Sequence, residues 1–120
     1  MNESAFTKEI CDKIKKCNGM IYPLIGQKIE TKAGKIYAGQ VAWPDRLIVH
    51  KYWQGLIEFK GLKTKLRDEQ RIIIRRLKER GMSVYVVRYP GVVQDEEGNE
   101  LCVIMDGLDL LKKLRDLENV

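Results

Sequence analysis

Apolar residues along the first stretch of the chain recur at helical spacing. Phe6, Ile10, Ile14 and Cys17 lie four, four and three positions apart and make one stripe. That predicts an amphipathic helix over residues 3–17, closed by Asn18-Gly19. Residues 20–25 are apolar and extended in character. Pro23, with no N–H to give a ladder, assigns them to a sheet edge. Residues 27–31 and 35–38 flank Lys32-Ala33-Gly34 as a hairpin. A second hairpin follows: residues 44–49 carry Leu47, Ile48 and Val49, residues 50–55 turn, and residues 56–60 return as a strand.

After a loop at 61–65 the period changes to that of a helix over 66–80. Leu66, Gln70, Ile73, Ile74 and Leu77 take one face and basic residues the other. Asp68 and Glu69 sit in its first turn, where the helix dipole favours acids, and Arg80-Gly81 stops it. Residues 82–88 read as a strand, Pro90-Gly91 as a break, and 95–99 as an acidic, solvated turn. Residues 101–105 are one more strand and 107–117 a last helix. This alternation predicts an α/β fold with a central mixed sheet flanked by helices.

Strand geometry brings the chemistry into view. Residues two apart share a face, so Glu58 and Lys60 project together while Ile57 and Phe59 point to the core. A hairpin sets Asp45 of the neighbouring strand beside Glu58. Two carboxylates so close repel unless something neutralises them, and a divalent cation such as Mg²⁺ does so while keeping sites for water and phosphate oxygens. The plain alternative is a salt-bridged pair at a sheet edge. A Pro-Asp followed by an acid-x-Lys triplet would arise by chance in roughly one chain in twenty-five of this length, so the placement on adjacent strands matters more than the motif.

Composition narrows the class. The chain has 120 residues, 44% apolar and 32% charged, which suits one globular domain with its own core. No apolar run is long enough to span a membrane, and the first residues are polar rather than signal-like, so a cytoplasmic protein with no membrane partner is expected. Cys11, Cys17 and Cys102 are odd in number and form no C-x-x-C pair, so they read as buried free thiols. His50, alone in a turn, reads as a surface residue. The net charge of +5 is unevenly spread: residues 60–80 hold nine Lys or Arg against three acids, and residues 94–120 eight acids against three bases. Such asymmetry suits a polyanion bound on one side.

Taken in order, Pro44-Asp45, Leu56-Ile57-Glu58-Phe59-Lys60-Gly61, Leu66-Arg67-Asp68-Glu69-Gln70, Gly81 and Val84-Tyr85-Val86-Val87-Arg88 resemble the VRR-NUC branch of the PD-(D/E)xK nucleases. The likeness runs over residues 2–88, leaving 89–120 as a strand–helix tail of the same single domain. It implies a restriction-endonuclease-like fold with an αβββαβ core. It also implies Asp45, Glu58 and Glu3 as ligands of Mg²⁺ or Mn²⁺, with the Phe59 carbonyl beside them, Lys60 as the catalytic lysine and Gln70 as the glutamine that supports the site. The family's first-helix glutamate is matched by Glu3, which lies near the Phe6/Ile10 stripe and is expected to point inward; Glu9 falls off that stripe. Departures are Ala42-Trp43 before Pro44, Arg46 after the aspartate, and Arg67 where Ser or Thr would cap a helix.

Lys63, Lys65, Arg67, Arg71 and Arg75 make a basic track beside these residues, with Arg46 and Arg88 as further phosphate contacts; Trp43 reads as core before contact. The sequence has no base-reading helix or zinc finger, so the expected activity is structure-selective cleavage of branched or flapped DNA. Single-domain relatives acting as homodimers on four-way junctions would suit such a substrate. The alternatives are a nuclease for DNA ends or RNA, and a non-catalytic nucleic-acid-binding module.

Overall fold

A computed structural model describes residues 2–24, 27–31, 34–38 and 42–119. Helix α1 (Glu3–Lys16) starts where the Asn2 side chain accepts the Ala5 N–H at 2.9 Å. It ends with Asn18 at φ 68 and the Gly19 N–H donating back to the Ile14 carbonyl, a Schellman closure. The predicted stripe is buried at Phe6, Ile10 and Ile14, joined by Cys11; Cys17 is only half-buried. Strands β1 (Met20–Pro23), β4 (Arg46–Val49), β5 (Gln54–Lys60), β6 (Val84–Arg88), β7 (Val92–Gln94) and β8 (Glu100–Val103) form one sheet in the order β1-β4-β5-β6-β7-β8. Pro23 therefore does lie on an edge strand. Strands β2 (Gln27–Thr31) and β3 (Gly34–Ala38) pair separately as a hairpin, with turn residues Lys32 and Ala33 outside the described residues.

Only β5 and β6 run parallel, joined through helix α2 (Asp68–Glu79); every other pairing is antiparallel. The fold is thus a six-stranded mixed sheet between helices, the α/β architecture expected. Central β5 is buried on both faces. Ile57 and Phe59 pack with Phe6, Ile10, Ile14 and the leucines of helix α3 (Gly107–Glu118), while Leu56 packs with Ile74, Leu77, Val84 and Val86 on the α2 side.

Three expectations change. Helix α2 begins at Asp68 rather than 66, because Arg67 is its N-cap and has an extended backbone. Strand β7 escapes a pattern reading because it is three residues long and is set by its partners, Val86↔Gln94, Val87↔Val93 and Arg88↔Val92. His50 is 5% exposed, not a surface residue: its Nδ1 accepts the Tyr52 N–H, so Nε2 carries the proton and donates to the Cys17 carbonyl at 2.8 Å. Residues after Arg88 belong to the same core. Leu110, Leu111 and Leu114 are fully buried, each worth about 1.5–3 kcal/mol of burial. No described helix is long and apolar enough to cross a membrane.

Candidate active site

The β4–β5 register decides where the charged groups meet. Arg46 pairs with Ile57, and the same register continued would set Asp45 against Glu58 at the next step and Pro44 against Phe59 at the one after. The Asp45 N–H donates to Glu58 Oε1 at 3.1 Å, and the Phe59 N–H donates to Asp45 Oδ1 at 3.3 Å. Each acid thereby anchors the other's strand. Pro44 is buried and has no N–H. At that position the ladder can offer the Phe59 carbonyl nothing, and Phe59 instead lines a cleft with Asp45.

On the same face Lys60 Nζ lies 3.5 Å from Glu58 Oε2. Gln70, buried in the first turn of α2, works at both ends of its amide. Its Nε2 donates to Glu58 Oε2 at 2.9 Å, and its Oε1 accepts the Arg67 N–H at 3.0 Å. The side chain that orients the carboxylate also caps the helix, which explains how α2 starts without Ser or Thr at position 67.

Electrostatics at the pair is unfavourable for an ion-free site. Burial raises Asp45 to about 6 against the pull of Arg46 and the Phe59 N–H. Burial, then repulsion from Asp45, raises Glu58 to about 7 despite Lys60. Among the described residues no group of three or more His, Cys, Asp or Glu side chains is gathered closely enough to hold a metal ion. The donor set here is two carboxylates and a backbone carbonyl. All three are hard oxygen donors, and a divalent cation would offset the burial and mutual repulsion that raise the two acids. The residues fit such an ion.

Glu3 differs from its expectation. It is exposed rather than inward-facing, yet its carboxylate crosses the end of β5: a Cβ built on Gly61 would lie 2.6 Å from Glu3 Oε2. Only glycine there leaves that approach open. Glu3 also lines the cleft of about 570 Å³ that reaches Asp45 and Phe59.

The basic candidates separate into groups. Lys63, Lys65 and Arg67 are exposed on the loop after β5. Arg75 is ion-paired to Glu97, Lys78 to Glu96 at 2.8 Å, and Arg71 donates to the Glu96 carbonyl and to Asp68. The acidic turn is therefore no solvated loop; it sits against the basic flank of α2. Arg88 holds the loop after β5, donating to the Gly61 and Thr64 carbonyls at 2.6 and 2.5 Å and to Gln94 at 3.0 Å. Arg46 donates to the Asp45 carbonyl at 2.9 Å and lines the cleft, and Trp43 is 36% exposed rather than core. Ser4, Thr7, Lys8 and Lys15, which are not among the expected site residues, line that cleft as well, together with the buried thiol of Cys11. Their signal was present as a second helical stripe beside the apolar one.

The model of the VRR-NUC domain family matches residues 2–89. No curated protein matches the chain.

Proposed function

The chain belongs to the VRR-NUC domain family, within the PD-(D/E)xK nuclease superfamily, and from that premise we propose that this nuclease-type domain is a metal-dependent, structure-selective DNA endonuclease. The observation that carries the reading is the junction of Asp45, Glu58 and Lys60 at the ends of β4 and β5, with both acids raised towards neutrality by burial.

Asp45, Glu58 and the Phe59 carbonyl would hold Mg²⁺ or Mn²⁺, with Glu3 reaching the same end of the cleft. When bound, the ion supplies charge that polarises a phosphodiester and acidifies nearby water. Lys60 orients the attacking water and offsets charge on the five-coordinate phosphorus. Gln70 fixes the Glu58 carboxylate so that its oxygens stay aimed. Attack breaks one P–O ester bond and leaves a phosphate monoester and a hydroxyl.

The lack of a base-reading element in the sequence suits selection by DNA structure rather than by sequence. Two copies about a twofold axis would match a four-way junction. A panel of junction, flap, duplex, single-stranded DNA and RNA with Mg²⁺ or Mn²⁺ tests the reading. Cleavage strongest on branched DNA, reduced at least about a hundredfold in Asp45→Asn, is expected. Salt-dependent binding without cutting in any divalent metal would instead make the chain a binding module.

A further inference from the structure

Glu58 is met by two side chains that flank one loop. Lys60 stands at the entry to residues 61–67 and Gln70 in the first helical turn beyond them. Both approach Glu58 Oε2, at 3.5 and 2.9 Å. The loop between them has little to hold it by packing. Leu62, Lys63, Thr64 and Lys65 are all exposed.

Arg88 supplies what packing does not. Register pairs it with Lys60, as it pairs Val86 with Glu58, so the half-buried Arg88 leaves β6 on the face that carries both. Its Nη1 donates to the Gly61 carbonyl at 2.6 Å and to the Thr64 carbonyl at 2.5 Å. Its Nε donates to Gln94 Oε1 at 3.0 Å, so β7 braces the guanidinium. One residue on, the Tyr89 N–H donates to the Lys60 carbonyl at 2.8 Å.

We propose that Arg88 is a positioning residue for cleavage: by holding the Gly61 and Thr64 carbonyls it fixes the loop whose two ends aim Lys60 and Gln70 at Glu58. This role rests on the nuclease reading above and adds to it a residue that acts without touching the substrate.

Three features favour it over a direct phosphate contact. A guanidinium grips a phosphate best with two nitrogens side by side. With Nε and Nη1 both engaged, every such pair has already lost a member. The partners of Arg88 are also neutral, two carbonyls and an amide, so its planar fork matters here more than its charge. Lastly, the strap acts on both ends of the loop. Gly61 directly follows Lys60, and the N–H of Arg67 is accepted by Gln70 Oε1 at 3.0 Å. A shift of the loop therefore reaches Glu58 through the same amide that orients it.

Kinetics and proteolysis test the assignment together. Single-turnover cleavage of the branched DNA that wild type cuts best in Mg²⁺ is followed over a range of protein concentrations. The maximal rate is expected to fall about a hundredfold in Arg88→Ala and about tenfold in Arg88→Lys, which keeps the charge but loses the fork. Half-saturation is expected to move less than about twofold in both. Brief trypsin digestion without DNA is expected to cut after Lys63 and Lys65 about tenfold faster in Arg88→Ala, with thermal unfolding still cooperative. Gln94→Ala, which frees only Nε, is expected to fall between wild type and Arg88→Lys in both measurements and serves if Arg88→Ala does not fold.

A maximal rate within about twofold of wild type in Arg88→Lys and Gln94→Ala overturns the role. So does a loss of rate with the loop cut no faster. Half-saturation weakened about tenfold at an unchanged maximal rate overturns it too, and makes Arg88 a phosphate contact. Each of these results leaves the nuclease reading standing, because wild type still cuts. If wild type cuts no nucleic acid in Mg²⁺ or Mn²⁺, that reading falls and the positioning role with it.

Discussion

The two sides of the sheet both carry basic residues, and they spend them differently. On the α2 side, Arg71, Arg75 and Lys78 meet the β7–β8 turn through Glu96 and Glu97. On the α1 side, Lys15 and Arg46 line a cleft that runs to Asp45. The stronger cluster in the sequence is thus the more fully matched in the fold. Charge counted along a chain measures what is present; only packing tells what is left for a ligand.

Helix α2 still reaches the site, through Gln70 rather than its charges. Gln70→Leu should therefore be the substitution that most sharply separates the two roles of that helix. It removes the donor to Glu58 and the acceptor for the Arg67 N–H. Cleavage is expected to fall on the order of a hundredfold, and urea denaturation to register a loss of about 1–3 kcal/mol, with DNA affinity nearly unchanged. A drop in affinity as large as the drop in rate would put α2 back in the binding surface.

The next test uses pH. Both carboxylates have folded values above their ordinary ones, Asp45 about 6 and Glu58 about 7. Between pH 4 and 7 the unfolded chain therefore releases these protons first, and the metal-free protein loses stability as pH rises. The loss is complete above pH 7 and is on the order of a few kcal/mol. Thermal melts without metal should show the decline, and Mg²⁺ should reverse part of it above pH 7 but not at pH 5. Asp45→Asn should flatten the profile. A metal-free protein that grows more stable from pH 4 to 7 would contradict the assignment.

The smallest effect belongs to the acidic turn. Replacing Glu96 and Glu97 together by Gln releases Lys78 and Arg75. These are partly exposed pairs, so stability should change by less than about 1 kcal/mol each. Duplex affinity is expected to rise a few-fold with a steeper salt dependence. No rise would mean that the α2 flank stays clear of DNA even when unpaired.

Much of this was legible in the residues. Helix ends at Asn18-Gly19 and Arg80-Gly81 are local chemistry, and the structure closes both with left-handed residues, Asn18 at φ 68 and Gly81 at φ 91. Alternation along 56–60 placed Glu58 and Lys60 on one face because that rule needs no partner. What the sequence hid was non-local. His50 is buried because Cys17, over thirty residues away, supplies a carbonyl. The acidic turn looked solvated because its partners lie on another element. Strand β7 is too short to announce itself, and Glu3 looked inward because spacing to a stripe does not say which flank of it a side chain takes.

Pro44 has a consequence beyond the site it borders. It decides how far two strands zip. An alanine there would present an N–H towards the Phe59 carbonyl and could carry the β4–β5 ladder two pairs past Arg46↔Ile57. With that carbonyl proposed as a metal donor, the better-knit sheet would be the worse catalyst, so at this residue durability and the proposed turnover pull in opposite directions.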